Sequence, residues 1–115
     1  MKQGSLFSDV PSKLTAEQVR TLANGRGARI ERIVSTGQAT PPGLWYDQDT
    51  DEWVVVLRGS ARLEFEPRKR LVKMTPGDWI SIAAHERHRV AWTSPDEPTV
   101  WLAVHFDGED DSLSA

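Results

Sequence analysis

Beyond Gly27 nearly all of the chain reads as short, strand-like runs of apolar residues separated by turns. Ala61, Leu63 and Phe65 alternate with Arg62, Glu64 and Glu66, as in a strand with one face in a core. Trp53-Val54-Val55-Val56-Leu57 is continuously apolar, the pattern of a strand over Glu52 to Leu57 buried on both faces. Further strand-like runs cover Ala28 to Ser35, Leu71 to Met74, Trp79 to Ala83, Val90 to Thr93 and Thr99 to Phe106. Turn chemistry separates them at Thr40-Pro41-Pro42-Gly43, Arg58-Gly59-Ser60, Pro67-Arg68-Lys69-Arg70 and Pro76-Gly77-Asp78. About seven or eight short strands without parallel crossovers predict an all-β antiparallel sandwich or barrel.

One segment breaks the strand pattern. Thr15 followed by Gln18 matches a capping box, Ala16 to Ala23 contains good helix formers, and Asn24-Gly25 supplies a stop. Leu14, Val19 and Leu22 fall on roughly one side of such a helix. The expectation is an N-terminal arm over residues 1–13, a barrel with one short leading helix over 14–106, and an acidic flexible tail over 107–115.

Composition narrows the function classes. The chain has 115 residues, enough for one domain, and its 38% hydrophobic and 27% charged residues suit a globular protein. Fourteen Lys and Arg against 17 Asp and Glu leave a net charge of -3, a poor footprint for nucleic acid. No run approaches the roughly 18 apolar residues of a membrane span, and the first residues lack the apolar core of a secretory signal, so a cytoplasmic location is expected. The absence of cysteine removes thiolate chemistry, so any metal must use imidazole and oxygen.

Only His85, His88 and His105 supply imidazole, and all lie in the last third of the chain. Upstream oxygen donors are Asp47, Gln48, Asp49, Asp51 and Glu52. Each has a plainer structural role available. Asp47, Asp49 and Asp51 suit a solvated loop, His85 a rim position and His105 a satisfied core histidine in an apolar strand. Glu52 and His88 suit a buried hydrogen-bonded pair. The five tryptophans all fall in or beside predicted strands, where they fill a core, line a cavity or cover a dimer face.

The spacing of these residues resembles the two cupin motifs. In the first, G(X)5HXH(X)3-4E(X)6G, Glu52 and Gly59 reproduce the E(X)6G half, whereas the two histidine positions fall on Tyr46 and Gln48 and the opening glycine on Thr40. The second, G(X)5PXG(X)2H(X)3N, is matched at Gly77 and His88, with Ala83, His85 and Trp92 at its Pro, Gly and Asn. The resemblance implies a small single-domain cupin with a degenerate first motif, a jelly-roll β-barrel whose cavity binds a small molecule. It implies metal-ligand positions at Glu52 and His88.

A strand over this region puts Tyr46, Gln48 and Glu52 on one face, so Gln48 is added as a third ligand for Mn, Fe, Ni or Zn. Tyr46 and His105 are assigned to ligand binding or proton transfer. The functional expectation is a metal- and small-molecule-binding cupin, an oxygenase or isomerase of unnamed substrate. The alternatives are a metal-free binding or sensor module in the same cavity, or a barrel kept only as structure. Many small cupins dimerise, so a homodimer is expected, with neither nucleic acid nor membrane as partner.

Overall fold

The computed structural model describes residues 1–67 and 70–108. It contains eight strands among these residues: β1 (Gln18–Gly25), β2 (Ala28–Ser35), β3 (Asp51–Arg58), β4 (Ala61–Phe65), β5 (Arg70–Met74), β6 (Trp79–Ile82), β7 (His88–Thr93) and β8 (Thr99–Phe106). A five-stranded sheet in the order β1-β2-β8-β3-β6 faces a three-stranded sheet in the order β5-β4-β7, with every pairing antiparallel. The all-β architecture follows the pattern of short runs and turns. Part of the acidic tail beyond Gly108 lies outside the described residues.

The predicted N-terminal helix is replaced by a strand. Gln18 to Gly25 forms the outer strand of the larger sheet, paired along β2 from Gln18↔Val34 to Gly25↔Ala28. Its helix formers carried only a weak intrinsic preference, and pairing with β2 overrides that preference. The apparent stop at Asn24-Gly25 is the approach to a hairpin: Arg26 (φ 40°) and Gly27 (φ 76°) form its two-residue connection. Positive φ at both central positions is the signature of a tight turn that matches the twist of paired strands.

Alternation along each strand then sorts side chains between the space inside the two sheets and the outside. Val54, Val56, Ala61, Leu63, Phe65, Met74, Ile82, Trp101 and Ala103 meet as the buried core. Each large aliphatic or aromatic side chain removed from water contributes about 1.5–3 kcal/mol. On the outer face of β2 lies Arg32, only 2% exposed, its guanidinium donating to the carbonyls of Leu6, Ser8 and Asp9 and to the Gln18 side chain. Those bonds fasten the N-terminal segment against the sheet, as does Leu14, whose N–H donates to Thr36 Oγ1.

Gly59 follows β3 at the turn into β4, with φ 87°. A Cβ there would sit 2.5 Å from Thr99 Oγ1, 2.6 Å from Thr99 Cα and 2.7 Å from the Pro98 carbonyl. The glycine of the E(X)6G pattern is therefore required twice, by backbone conformation and by the approach of the β8 backbone. Gly59→Ala is expected to destabilise the fold by about 2–3 kcal/mol, read as a lowered urea midpoint with an unchanged slope.

Candidate functional site

The inward face of the sandwich is apolar at one end and polar at the other. In β2, Arg29, Glu31 and Ile33 line the interior, in β8 Trp101 and His105, and in β3 Glu52 and Val54. Register brings the polar members together: Glu52 stands opposite His105, and His105 opposite Arg29. The facing sheet contributes Leu63 from β4 and His88 and Val90 from β7. These walls enclose a cavity of about 230 Å³.

Tyr46 and Gln48 reach this cavity by a different route from the one their spacing predicts. They do not share a strand with Glu52. The Tyr46 N–H donates to the His88 carbonyl at 2.7 Å and the His88 N–H donates to the Tyr46 carbonyl at 3.2 Å, so this segment runs antiparallel to β7. The chain then turns before β3 crosses to the larger sheet. Tyr46 and Gln48 thus approach from the side of His88 and Glu52 from the side of His105, and all five predicted site residues line one cavity.

His88 is held for use. Its ring lies between Phe65 and Tyr46, with centroids at 5.8 and 5.6 Å, and its Nδ1–H donates to the Glu86 carbonyl at 2.8 Å. That bond leaves Nε2 as the lone pair pointing inward, 3.7 Å from Glu52 Oε1. His105 is engaged otherwise: its Nε2 is 3.0 Å from Glu31 Oε1 and 4.0 Å from Glu52 Oε2. Glu31 also receives the Arg29 Nε–H at 2.9 Å. Glu52 is 7% exposed, and among the described residues no group donates a hydrogen bond to its carboxyl.

Two further acids shape the mouth. Glu17 accepts from Ser35 Oγ at 3.0 Å, and Ser35 in turn accepts from Trp101 Nε1 at 3.2 Å. Burial pushes the Glu17 carboxyl above its ordinary range, the Ser35 hydrogen bond opposes that, and the Glu52 charge adds to it. Burial, reinforced by Glu17, likewise raises the Tyr46 phenol, so Tyr46 keeps its proton and serves as a donor. His85 lies outside this group. It sits at φ 65° on an exposed turn, with Nδ1 2.8 Å from Asp47 Oδ1, a hydrogen bond that raises its pKa.

Glu17, Arg29 and Glu31 were not singled out from the sequence. Glu17 lay inside the segment read as a helix. The signal for the other two was present: Arg29 and Glu31 alternate with Ile30 in a strand, so both share one face with Ile33.

The donors fall short of a preformed metal centre. Among the described residues no group of three or more His, Asp or Glu side chains converges as a metal ion requires. His105 Nε2 is committed to Glu31, which leaves the His88 lone pair, the Glu52 carboxyl and the neutral amide of Gln48. The arrangement is better matched to acid–base work, with a carboxyl and an imidazole lone pair inside and a protonated phenol at the mouth.

Glu17 also sets a pH dependence. A carboxyl whose folded pKa lies above its unfolded value disfavours the fold when ionised. That penalty is absent below the unfolded value near about 4.3 and grows as pH rises through the folded value. Glu17→Gln, which keeps an acceptor for Ser35, is therefore expected to gain stability over the parent at pH 8 and to match it at pH 4, measured by urea unfolding. An equal effect at both pH values would refute the ionisation account.

Known proteins fit this geometry. A crystal structure from Ralstonia eutropha JMP134, provisionally described as a mannose-6-phosphate isomerase, matches at TM-score 0.91 and 54% identity, over 94% of this chain and 100% of that one. A cupin superfamily protein from Desulfitobacterium hafniense shares the fold at TM-score 0.74 and 14% identity, covering 94% of each chain. A conserved protein of unknown function from Streptococcus pyogenes does so at TM-score 0.72 and 20% identity, over 95% of this chain and 90% of that one. No curated protein sequence matches. The cupin domain model matches residues 32–105, from the β2 strand that carries Arg32 to His105 in β8, and the chain belongs to the cupin family.

Proposed function

We propose that this cupin binds a small organic molecule between its sheets and shifts a proton on it, as an isomerase does, using its own acids and imidazoles. The observation that carries this reading is Glu52: a buried carboxyl facing a cavity, flanked by two imidazoles and given no hydrogen-bond donor among the described residues. Buried polar groups are normally satisfied, so a group left open toward a cavity is reserved for something that enters it. The likeness to the Ralstonia protein supports the same class of chemistry.

The step uses groups already in place. The Glu52 carboxylate takes a proton from the carbon beside a substrate carbonyl, and the electrons of that C–H bond form the enolate. Tyr46, whose phenol keeps its proton, stabilises the oxygen that gains charge. His88 Nε2 accepts the proton of a neighbouring hydroxyl and delivers it to the enolate oxygen, and Glu52 returns its own proton to the adjacent carbon. Neither a proton nor an electron pair is lost over the cycle.

The metal-dependent alternative, with Gln48, Glu52 and His88 holding Mn, Fe, Ni or Zn, has one supporting observation. The Glu86 carbonyl fixes the His88 tautomer so that Nε2 faces inward, as carbonyl partners do for metal-bound histidines. Near-stoichiometric metal in protein purified without chelator, lost in His88→Ala, would favour it.

Location and assembly are also proposed. No helix among the described residues is long and apolar enough to cross a membrane, which agrees with the proposed cytoplasmic location. The proposed homodimer would use the outer face of the larger sheet, where Trp79, 61% exposed, leans on Trp53 at 6.0 Å. The direct test of function is proton exchange. In D2O, a panel of small hydroxy-aldehydes and hydroxy-ketones is expected to acquire deuterium beside the carbonyl, followed by NMR. Glu52→Gln is expected to lower that rate by about 100-fold or more. Undiminished exchange in folded Glu52→Gln would remove Glu52 from the reaction.

A further inference from the structure

The charges around the cavity are unbalanced. Glu17, Glu31 and Glu52 all line it, whereas Arg29 is the one Lys or Arg that does so among the described residues. Arg29 is already committed, its Nε 2.9 Å from Glu31 Oε2. Glu31 is doubly satisfied, since His105 Nε2 reaches its other oxygen at 3.0 Å. Glu17 is partly satisfied by Ser35. Glu52 is the remainder, with its side chain 9% exposed, no hydrogen-bond donor among the described residues and imidazoles at 3.7 and 4.0 Å.

A buried carboxyl in this state is completed by a ligand that donates strongly, and a charged nitrogen donates more strongly than a neutral hydroxyl. The rest of the wall suits the carbon skeleton of such a ligand, since Ile33, Val54, Leu63, Ile82, Val90 and Trp101 surround the acids. Phosphate would meet the opposite of what it needs, three carboxyls and a single guanidinium already paired with one of them through its Nε. Beyond Glu17, Tyr46 and Val90, which it shares with the first cavity, a second cavity of about 280 Å³ adds only uncharged residues, among them Thr15, Gln38 and Thr40. It offers room for an uncharged tail.

We propose that the cavity selects a ligand whose buried end carries an ammonium or guanidinium nitrogen seated on Glu52, and that it rejects phosphate esters. This rests on the small-molecule binding proposed above and not on its proton-shift step: a ligand seated in this way occupies Glu52 in place of a reacting carbon. It sets this cavity apart from the phosphorylated sugar in the description of the Ralstonia protein, which is similar to this chain in sequence and fold.

Three compounds of one skeleton test the proposal: cyclohexylmethylamine, cyclohexylmethanol and cyclohexylmethyl phosphate, titrated calorimetrically into the full chain at pH 7 in the presence of chelator. The amine is expected to bind about tenfold or more tighter than the alcohol, with no measurable binding of the phosphate ester. Glu52→Gln, its fold checked by circular dichroism, is expected to remove the amine's advantage and leave the alcohol's affinity within about threefold. Should that variant not fold, the preference of the parent chain decides the matter. Equal affinity for amine and alcohol would overturn the inference and leave the small-molecule function standing. Tightest binding of the phosphate ester would overturn it outright, as would an amine advantage that survives in Glu52→Gln. Failure of all three to bind would overturn both.

Discussion

Keeping ionisable groups inside a sandwich of valine, leucine and tryptophan costs free energy unless each group is paired, and that constraint organises the polar end of the barrel. Arg29 and His105 together satisfy Glu31, and Ser35 and Trp101 form a short chain of hydrogen bonds ending on Glu17. Of the three acids lining the cavity, Glu52 alone receives no donor from the described residues. The cavity is therefore selectively unsatisfied, with all but one of its acids compensated by the protein and that one turned toward the space a ligand would occupy.

The scaffold makes such an arrangement stable by separating the two tasks along the same strands. At one end, Val54, Val56, Leu63, Met74 and Trp101 pack against one another and supply the apolar burial that holds the sheets together. At the other end, the next inward positions on the same strands carry Glu52 and His105. Gly59 lets the chain leave β3 and pass close to the β8 backbone, which fixes the two strands that bear those residues. On the outer face, Arg32 performs a distinct structural function by gathering carbonyls of the N-terminal segment, so the arginines at 29 and 32 serve opposite sides of one strand.

Much of this was legible in the residues. Apolar runs, the alternation of Ala61 to Glu66 and the turn residues between them located seven of the strands, because each reports a property of a few neighbouring residues. The E(X)6G spacing pointed to Glu52 and Gly59, and the scarcity of histidine drew attention to His88 and His105. The N-terminal helix was misread because Ala16 to Ala23 contains helix formers whose preference is small beside the hydrogen bonds offered by the edge of β2. The same error concealed Glu17. Tyr46 and Gln48 were placed in the site for a reason the fold does not share, since they approach along β7 and not as part of the Glu52 strand.

The amino-acid sequence by itself determined the strand-rich class, the turns, the donor types available and the family pattern, because these follow from composition and from spacing within a few residues. Tertiary structure decided which donors meet. Whether Glu31 lies within 3.0 Å of His105, and so withdraws its Nε2 from other uses, depends on the β2–β8 register across 74 residues of chain. The isolation of Glu52 was decided in the same way: it is a relation among strands of two sheets, set by pairing and packing at long range, to which local sequence contributes only the identity of each side chain.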